Sequence, residues 1–200
     1  MKTNHKYRMS FTTGGLFLRE SIKCAELYDA SYDWEKTRDE VISGNILQTR
    51  TISSSRRIFG EISGRLQTLN DEEIDFLLNS ARNEQCFMLW TAVCRYYPFI
   101  REFAVEVIRE KFLTFRSNLT PEDFNAFFFS KADLNPALEK ITEQSRNKLR
   151  LVLFKILREA DLIDKTNKIT QPILTSGFIN IITRGKSLET SDLLIFPVHF

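Results

Sequence analysis

The 200-residue chain is poor in the residues from which metal and disulfide sites are made. Its cysteines, Cys24, Cys86 and Cys94, are odd in number and form no CxxC pair. Neither a disulfide framework nor a zinc site is suggested. The two histidines, His5 and His199, lie at the chain ends, so no Cys/His cluster can be assembled from them. Long apolar runs are also missing. Nothing approaches the roughly 18 apolar residues of a spanning helix, and no membrane insertion is expected. The stretch from Phe11 to Glu20 meets charge too early to serve as a signal-peptide core. A cytoplasmic location follows as the expectation. No P-loop, nucleophile elbow, HExxH or Cys/His dyad occurs. The chain therefore reads as a non-enzyme without a cofactor. Net charge is only +2, so a nucleic-acid binder of this composition must concentrate its basic residues locally.

What is present is an ordinary globular composition, 42% hydrophobic and 27% charged. Apolar residues at helical spacing predict a mainly α fold. The expected architecture is a helical bundle in three parts. Residues 1–70 form a helix-turn-helix-like unit, 71–130 a central helical core, and 131–200 a winged-helix-like unit with a small β-sheet. Residues 1–10 are polar and basic and read as an arm or a frayed end. A first helix spans Gly15 to Tyr28, with Leu16, Ile22, Ala25 and Leu27 among its buried residues. The Thr12-Thr13-Gly14-Gly15 segment ahead of it is either a turn or a phosphate-binding helix start. Asp33 caps a helix to Ile42. Asn70 and Glu73 have capping-box spacing. Ala81 to Tyr97 is apolar nearly all round and belongs at the centre of the core. Pro98 opens the next helix, to Phe115, and Thr120-Pro121-Glu122-Asp123 opens another. Phe124, Phe127, Phe128 and Phe129 read mainly as packing, with base stacking as the alternative.

Two basic helix starts carry the functional expectation. The first follows Arg50. Ser53, Ser54 and Ser55 precede Arg56 and Arg57, and the helix runs on to Leu69. Serine hydroxyls, free N–H groups and arginines at a helix N-terminus suit phosphate; an N-cap with a solvated basic turn is the other reading. Gly60 and Gly64 weaken this helix or admit a close neighbour. The second start lies within Asp133–Leu174, where a short helix, a break, a long helix and a β-rich segment follow one another. The long helix, Ser145 to Ala160, buries Leu149, Val152, Leu153, Ile156 and Leu157. Leu151 and Phe154 lie off that stripe and predict cover on a second side. Ser145, Arg146, Asn147, Lys148 and Arg150 stand at its start. In a winged helix-turn-helix this end enters the major groove. Arginine and lysine can pair there with guanine and asparagine with adenine. Lys155 and Arg158 fall further along, and Lys165 and Lys168 are the wing candidates. Extended pieces at Ile169–Leu174 and Leu193–Val198 complete the expected sheet, kept to edges by Pro172 and Pro197.

Several blocks together resemble the BrxA family of bacteriophage-exclusion (BREX) systems. They are Phe11–Ser21, Asn45–Arg50, Arg56-Arg57-Ile58 with Glu61 and Arg65-Leu66, and Leu89-Trp90 with Cys94-Arg95-Tyr96. Glu102–Val107 and Lys148-Leu149 with Leu153-Phe154 and Leu157-Arg158-Glu159 continue the likeness across nearly the whole chain. The resemblance implies a mostly helical protein with helix-turn-helix-like elements, sometimes likened to the antitermination factor NusB. It also implies double-stranded DNA as partner, together with other BREX proteins. It supplies no residue-level map. Two further readings stay open: a NusB-like RNA binder, and an interaction scaffold without nucleic-acid contact.

Overall fold

A computed structural model describes residues 7–12, 14–184 and 192–199. His5, Thr13 and most of the basic arm lie outside the described residues. The fold is mainly α, as the periodicity predicts. Contacts divide the chain into two compact units, one of residues 16–96 and one of residues 97–200 with 1–15.

The first unit holds α1 (Leu18–Ser31), α2 (Trp34–Ser43), α3 (Ile52–Leu66), α4 (Asp71–Asn79) and α5 (Arg82–Tyr96). Every residue from Cys86 to Cys94 in α5 is buried, which a helix apolar on all sides requires. Helix α1 starts three residues later than the sequence suggests, because Phe17 takes a left-handed conformation at φ 59°. Leu16 and Ala25 are buried, whereas Ile22 and Leu27 are half-buried. Asp33 caps α2 as expected, accepting from the Glu35 and Lys36 amides at 2.8 and 3.2 Å. The Asn70–Glu73 capping box is formed. Glu73 also takes both arms of the Arg95 guanidinium at 2.6 Å. Arg95 donates further to the Thr68 carbonyl at 2.9 Å. This buried network ties the start of α4 to the end of α5. In α3 the two glycines differ. A Cβ at Gly64 would collide with the Tyr96 ring, while one at Gly60 would meet open space.

In the second unit α6 (Pro98–Phe103) passes through a π-helical segment (Ala104–Arg109) into α7 (Glu110–Leu113). Next come α8 (Pro121–Ala132), α9 (Pro136–Glu139), α10 (Glu143–Glu159) and α11 (Ser176–Thr183), with a 3-10 turn at Asp192–Ile195. Phe99, Phe103, Phe124, Phe127 and Phe128 are buried together; the rings of Phe99 and Phe127 meet edge-on at 5.1 Å. Packing thus accounts for these rings, with Phe129 left half out. The Thr120–Asp123 capping box forms, and Asp123 also binds the Lys111 ammonium at 2.7 Å. Burial alone would raise the Asp123 pKa, but Lys111 and the Thr120 amide outweigh it and hold it below the ordinary carboxylate value.

The expected β-sheet is the main correction. Among the described residues no strand is present, only isolated bridges, Asn118 with Lys168 and Ile163 with Ile169. The chain turns too tightly there for a ladder. Asp164 accepts from the Thr166 and Lys168 amides at 2.7 and 2.9 Å, so the would-be ribbon closes as a five-residue loop. Beyond it Pro172 has no N–H to give. Leu193–Ile195 lies in the 3-10 turn, and Leu193, Ile195, Phe196 and Val198 are buried. Burial, not strand pairing, explains that apolar run.

Candidate nucleic-acid interface

Both basic helix starts exist, one in each unit, and both begin earlier than the serines suggest. In α3 the N-cap is Thr51, whose Oγ1 accepts from the Ser54 amide at 3.1 Å. In α10 it is Thr142, whose Oγ1 accepts from the Ser145 amide at 3.3 Å. In each case the threonine hydroxyl also reaches the serine hydroxyl, at 2.9 and 3.0 Å. The same Thr-x-x-Ser arrangement therefore opens both helices. Sequence reading missed these threonines. The signal was a hydroxyl residue three positions ahead of each serine.

This shift places the basic side chains in the second turn of each helix. Arg50, just ahead of the Thr51 cap, and Arg56 and Arg57 in α3 are exposed, Ser54 is half-buried, and Ser55 is buried at 2% exposure. Ser55 is thus turned inward, away from any ligand. Ser53, which carried no separate role in the sequence, is exposed in the first turn. That turn contains no acid, so its uncapped N–H groups and the helix dipole face solvent without a competing carboxylate.

The start of α10 is different. Glu143 occupies its first turn and meets the positive end of the dipole itself. Ser145 and Lys148 are exposed, while Asn147 and Arg150 are half-buried. Arg146 lies over the Phe129 ring at 4.6 Å and the Phe128 ring at 5.8 Å. Its Nε is buried without a hydrogen-bond partner. Phe154 is covered as expected, but Leu151 is 62% exposed, so the second covered side is only partial. Arg158 donates to Asn167 Oδ1 at 2.7 Å and braces the tight loop. Lys155 pairs loosely with Glu159 at 3.7 Å. Lys165 and Lys168 are exposed on that loop. The loop packs at the C-terminal end of α10. From Arg146 to Arg158 the helix climbs roughly 18 Å at 1.5 Å per residue, so the loop and the basic start stand at opposite ends.

The remaining phosphate candidate, Thr12 to Gly15, is disfavoured. The Glu159 carboxylate fills the space that a Cβ would take at Gly15. No group of three or more His, Cys, Asp or Glu residues suited to a metal occurs among the described residues. The three thiols are buried, and burial, then Glu20, pushes Cys24 up to about 12. Among the described residues no helix is long and apolar enough to cross a membrane.

Charge pairing differs among the cations. Arg65, Arg95, Arg101, Lys111 and Lys131 each hold a carboxylate partner. Among the described residues Arg50, Arg56, Arg57, Lys148, Arg150, Lys165 and Lys168 hold none within 4 Å.

Comparison with known proteins agrees with the family resemblance. The profile of the BrxA family matches residues 5–185. A protein described as BREX protein BrxA from Escherichia coli O9:H4 (strain HS) is 28% identical over 151 residues, covering 76% of this chain and 71% of its own length. Another of that description, from Bacillus cereus (strain H3081.97), is 26% identical over 179 residues, covering 88% and 90%. The crystal structure of an uncharacterized protein from Magnetospirillum magneticum superposes with a TM-score of 0.76 at 18% identity, over 90% of this chain and 93% of the other. At that identity the likeness speaks for the fold alone.

Proposed function

The chain belongs to the BrxA family, and on that premise we propose that it is a non-enzymatic, double-stranded DNA-binding component of a BREX phage-resistance system. It would act beside the other proteins of that system, placing them on DNA or helping them assemble. The observation that carries the reading is the sorting of cations. Arg65, Arg95, Arg101, Lys111 and Lys131 are committed to carboxylates, whereas Arg50, Arg56, Arg57, Lys148, Arg150, Lys165 and Lys168 around the two helix starts and the α10 loop carry no such partner among the described residues. Cations that need not give up an internal carboxylate release counterions from a duplex at little internal cost.

The α3 start is the stronger of the two. Arg50, Arg56 and Arg57 surround a helix N-terminus without a first-turn acid, which suits a backbone phosphate. In α10 the contacts come from the second turn, Lys148 and Arg150, with Lys165 and Lys168 touching backbone at the far end. Ser55 drops out of the contact set because it is buried.

The test is binding of a labelled duplex by purified protein across a salt series. Each phosphate contact removed should reduce the magnitude of the slope of log K against log salt by about 0.9. Arg56→Glu with Arg57→Glu, and separately Lys148→Glu with Arg150→Glu, should each flatten the slope while circular dichroism stays unchanged. Unchanged binding in both would overturn the reading. Preference for structured RNA in competition would point instead to the NusB-like alternative.

A further inference from the structure

At the junction of α1 and α2 the first unit presents an aromatic face. Tyr28 stacks on Trp34 with centroids 4.3 Å apart and planes within 16°. Tyr32 meets Tyr28 edge-on at 5.9 Å and is 64% exposed. Tyr28 and Trp34 are half-buried.

The rim of this face is acidic. The Tyr32 hydroxyl donates to Asp29 Oδ1 at 3.3 Å. Burial first, and then Asp71 at the start of α4, raise the pKa of the Tyr28 hydroxyl. Glu26 and Glu35 are exposed nearby in sequence. Between Glu26 and Glu40 six acids stand against two bases, in a chain whose total is +2. Among the described residues none of Glu26, Asp29, Glu35 or Asp71 has a lysine or arginine within 4 Å.

The chemistry of the occupant follows. Ring faces carry negative charge density and attract cations, arginine above all. Rim carboxylates without a cation partner add to that attraction and disfavour phosphate. The face is open and formed of flat rings, which suits side chains from a protein segment. Tyrosine and tryptophan are also the residues most often found as interface hot spots. We propose that Tyr28, Tyr32 and Trp34, rimmed by Asp29 and Asp71, dock an arginine-bearing basic segment of a partner protein. The proposal does not depend on DNA binding, since it uses neither helix start.

Trp34 supplies the readout. The chain has two tryptophans, and Trp90 is fully buried, so changes in emission on binding report on Trp34. The probe is an eight-residue peptide alternating arginine and glycine, with a glutamate–glycine peptide as control. Full-length protein should show a saturable emission change with the arginine peptide and none with the control. Tyr32→Gly should weaken binding roughly tenfold, as loss of one aromatic anchor does. Tyr32 sits at φ 50°, a conformation glycine adopts freely, so this variant keeps its fold. Asp29→Asn with Asp71→Asn should weaken binding to a similar extent. Equal affinity in wild type and Tyr32→Gly would overturn the proposal, as would saturable binding of the glutamate peptide. Self-association of the wild type that Tyr32→Gly abolishes would assign the face to a second copy instead.

Discussion

The Arg146 guanidinium lies 4.6 Å above the Phe129 ring, joining the second turn of α10 to the outer side of α8. The sequence places Arg146 among groove-reading residues; the structure gives it a stacking partner and buries its Nε. Stacking uses the flat, delocalised guanidinium, which an ammonium cannot imitate. Arg146→Lys should therefore lower stability by about 0.5–1 kcal/mol, a Tm drop of a few degrees for a chain of this size. Arg150→Lys, without such a ring contact, should leave Tm nearly unchanged. Thermal denaturation of the two variants makes the comparison.

The α3 glycines give an opposed pair. Glycine in a helix interior costs about 0.5–1 kcal/mol relative to alanine. At Gly60 a Cβ meets nothing within 4 Å, so Gly60→Ala should stabilise by about that amount. At Gly64 the same change drives the Cβ into the Tyr96 ring. The strain of overpacking, about 1–3 kcal/mol, exceeds the propensity gain, and Gly64→Ala should destabilise. Urea titration separates the two. Equal shifts of the midpoint would contradict the packing of Tyr96 against α3.

These cases mark how far the sequence could be read. The caps at Asp33, Asn70–Glu73 and Thr120–Asp123 were legible because each is settled by residues within three positions. The central place of α5 was legible because a helix without a polar side has to be enclosed. Long-range partners were not. Glu73 explains itself as a cap, and nothing local announces Arg95, 22 positions away. Arg146 looks like a groove contact until Phe129 is placed beneath it. The sheet failed for a related reason. Strand pairing is decided by neighbours, and here the Asp164 side chain closes a loop before a ladder can extend. At the candidate site the residue types were readable but their turns were not, since Thr51 and Thr142 set each helix start ahead of the expected serines.

The Glu73–Arg95 pair should behave as a unit. Glu73 is 2% exposed and satisfies both the guanidinium and the Asn70 amide. Glu73→Ala removes the carboxylate that both arms of this mostly buried guanidinium hold, and breaking such a buried pair costs about 3–5 kcal/mol. Arg95→Met strands the carboxylate and should cost a similar amount. The double variant Glu73→Leu with Arg95→Met should cost clearly less than the sum of the single changes, because neither charge is then left alone. Chemical denaturation of the set measures the coupling. Strict additivity would deny it.

Asp123 gives a pH prediction. Its folded pKa lies below the ordinary value of 3.8: burial alone would raise it, but the Lys111 and Thr120 bonds outweigh burial. The sign follows from linkage. A depressed carboxylate contributes stability that is fully present above its unfolded pKa and is lost as pH falls through the folded one. Wild type should therefore lose part of its stability below about pH 4. Asp123→Asn should be weaker at pH 7 and lose less on acidification. Denaturation midpoints at pH 7 and pH 3 test it, and parallel losses in both proteins would refute the assignment.

Glu143 sets apart the two candidate DNA contacts. It holds the first turn of α10, whereas the first turn of α3 carries no acid. An acid there stabilises the helix through the dipole by about 0.3–1 kcal/mol and opposes phosphate at the same end. Glu143→Gln should thus lower Tm slightly and, if the α10 start faces DNA, tighten duplex binding about two- to fivefold at low salt, by the same energy. The tightening should fade as salt screens it. The control is Ser53→Glu, which places an acid in the first turn of α3 and should weaken binding while helping the helix. Opposite movement of stability and affinity in both variants is the expected outcome, measured by melting and by duplex titration. Weakening by Ser53→Glu without any gain from Glu143→Gln would assign the contact to α3 alone.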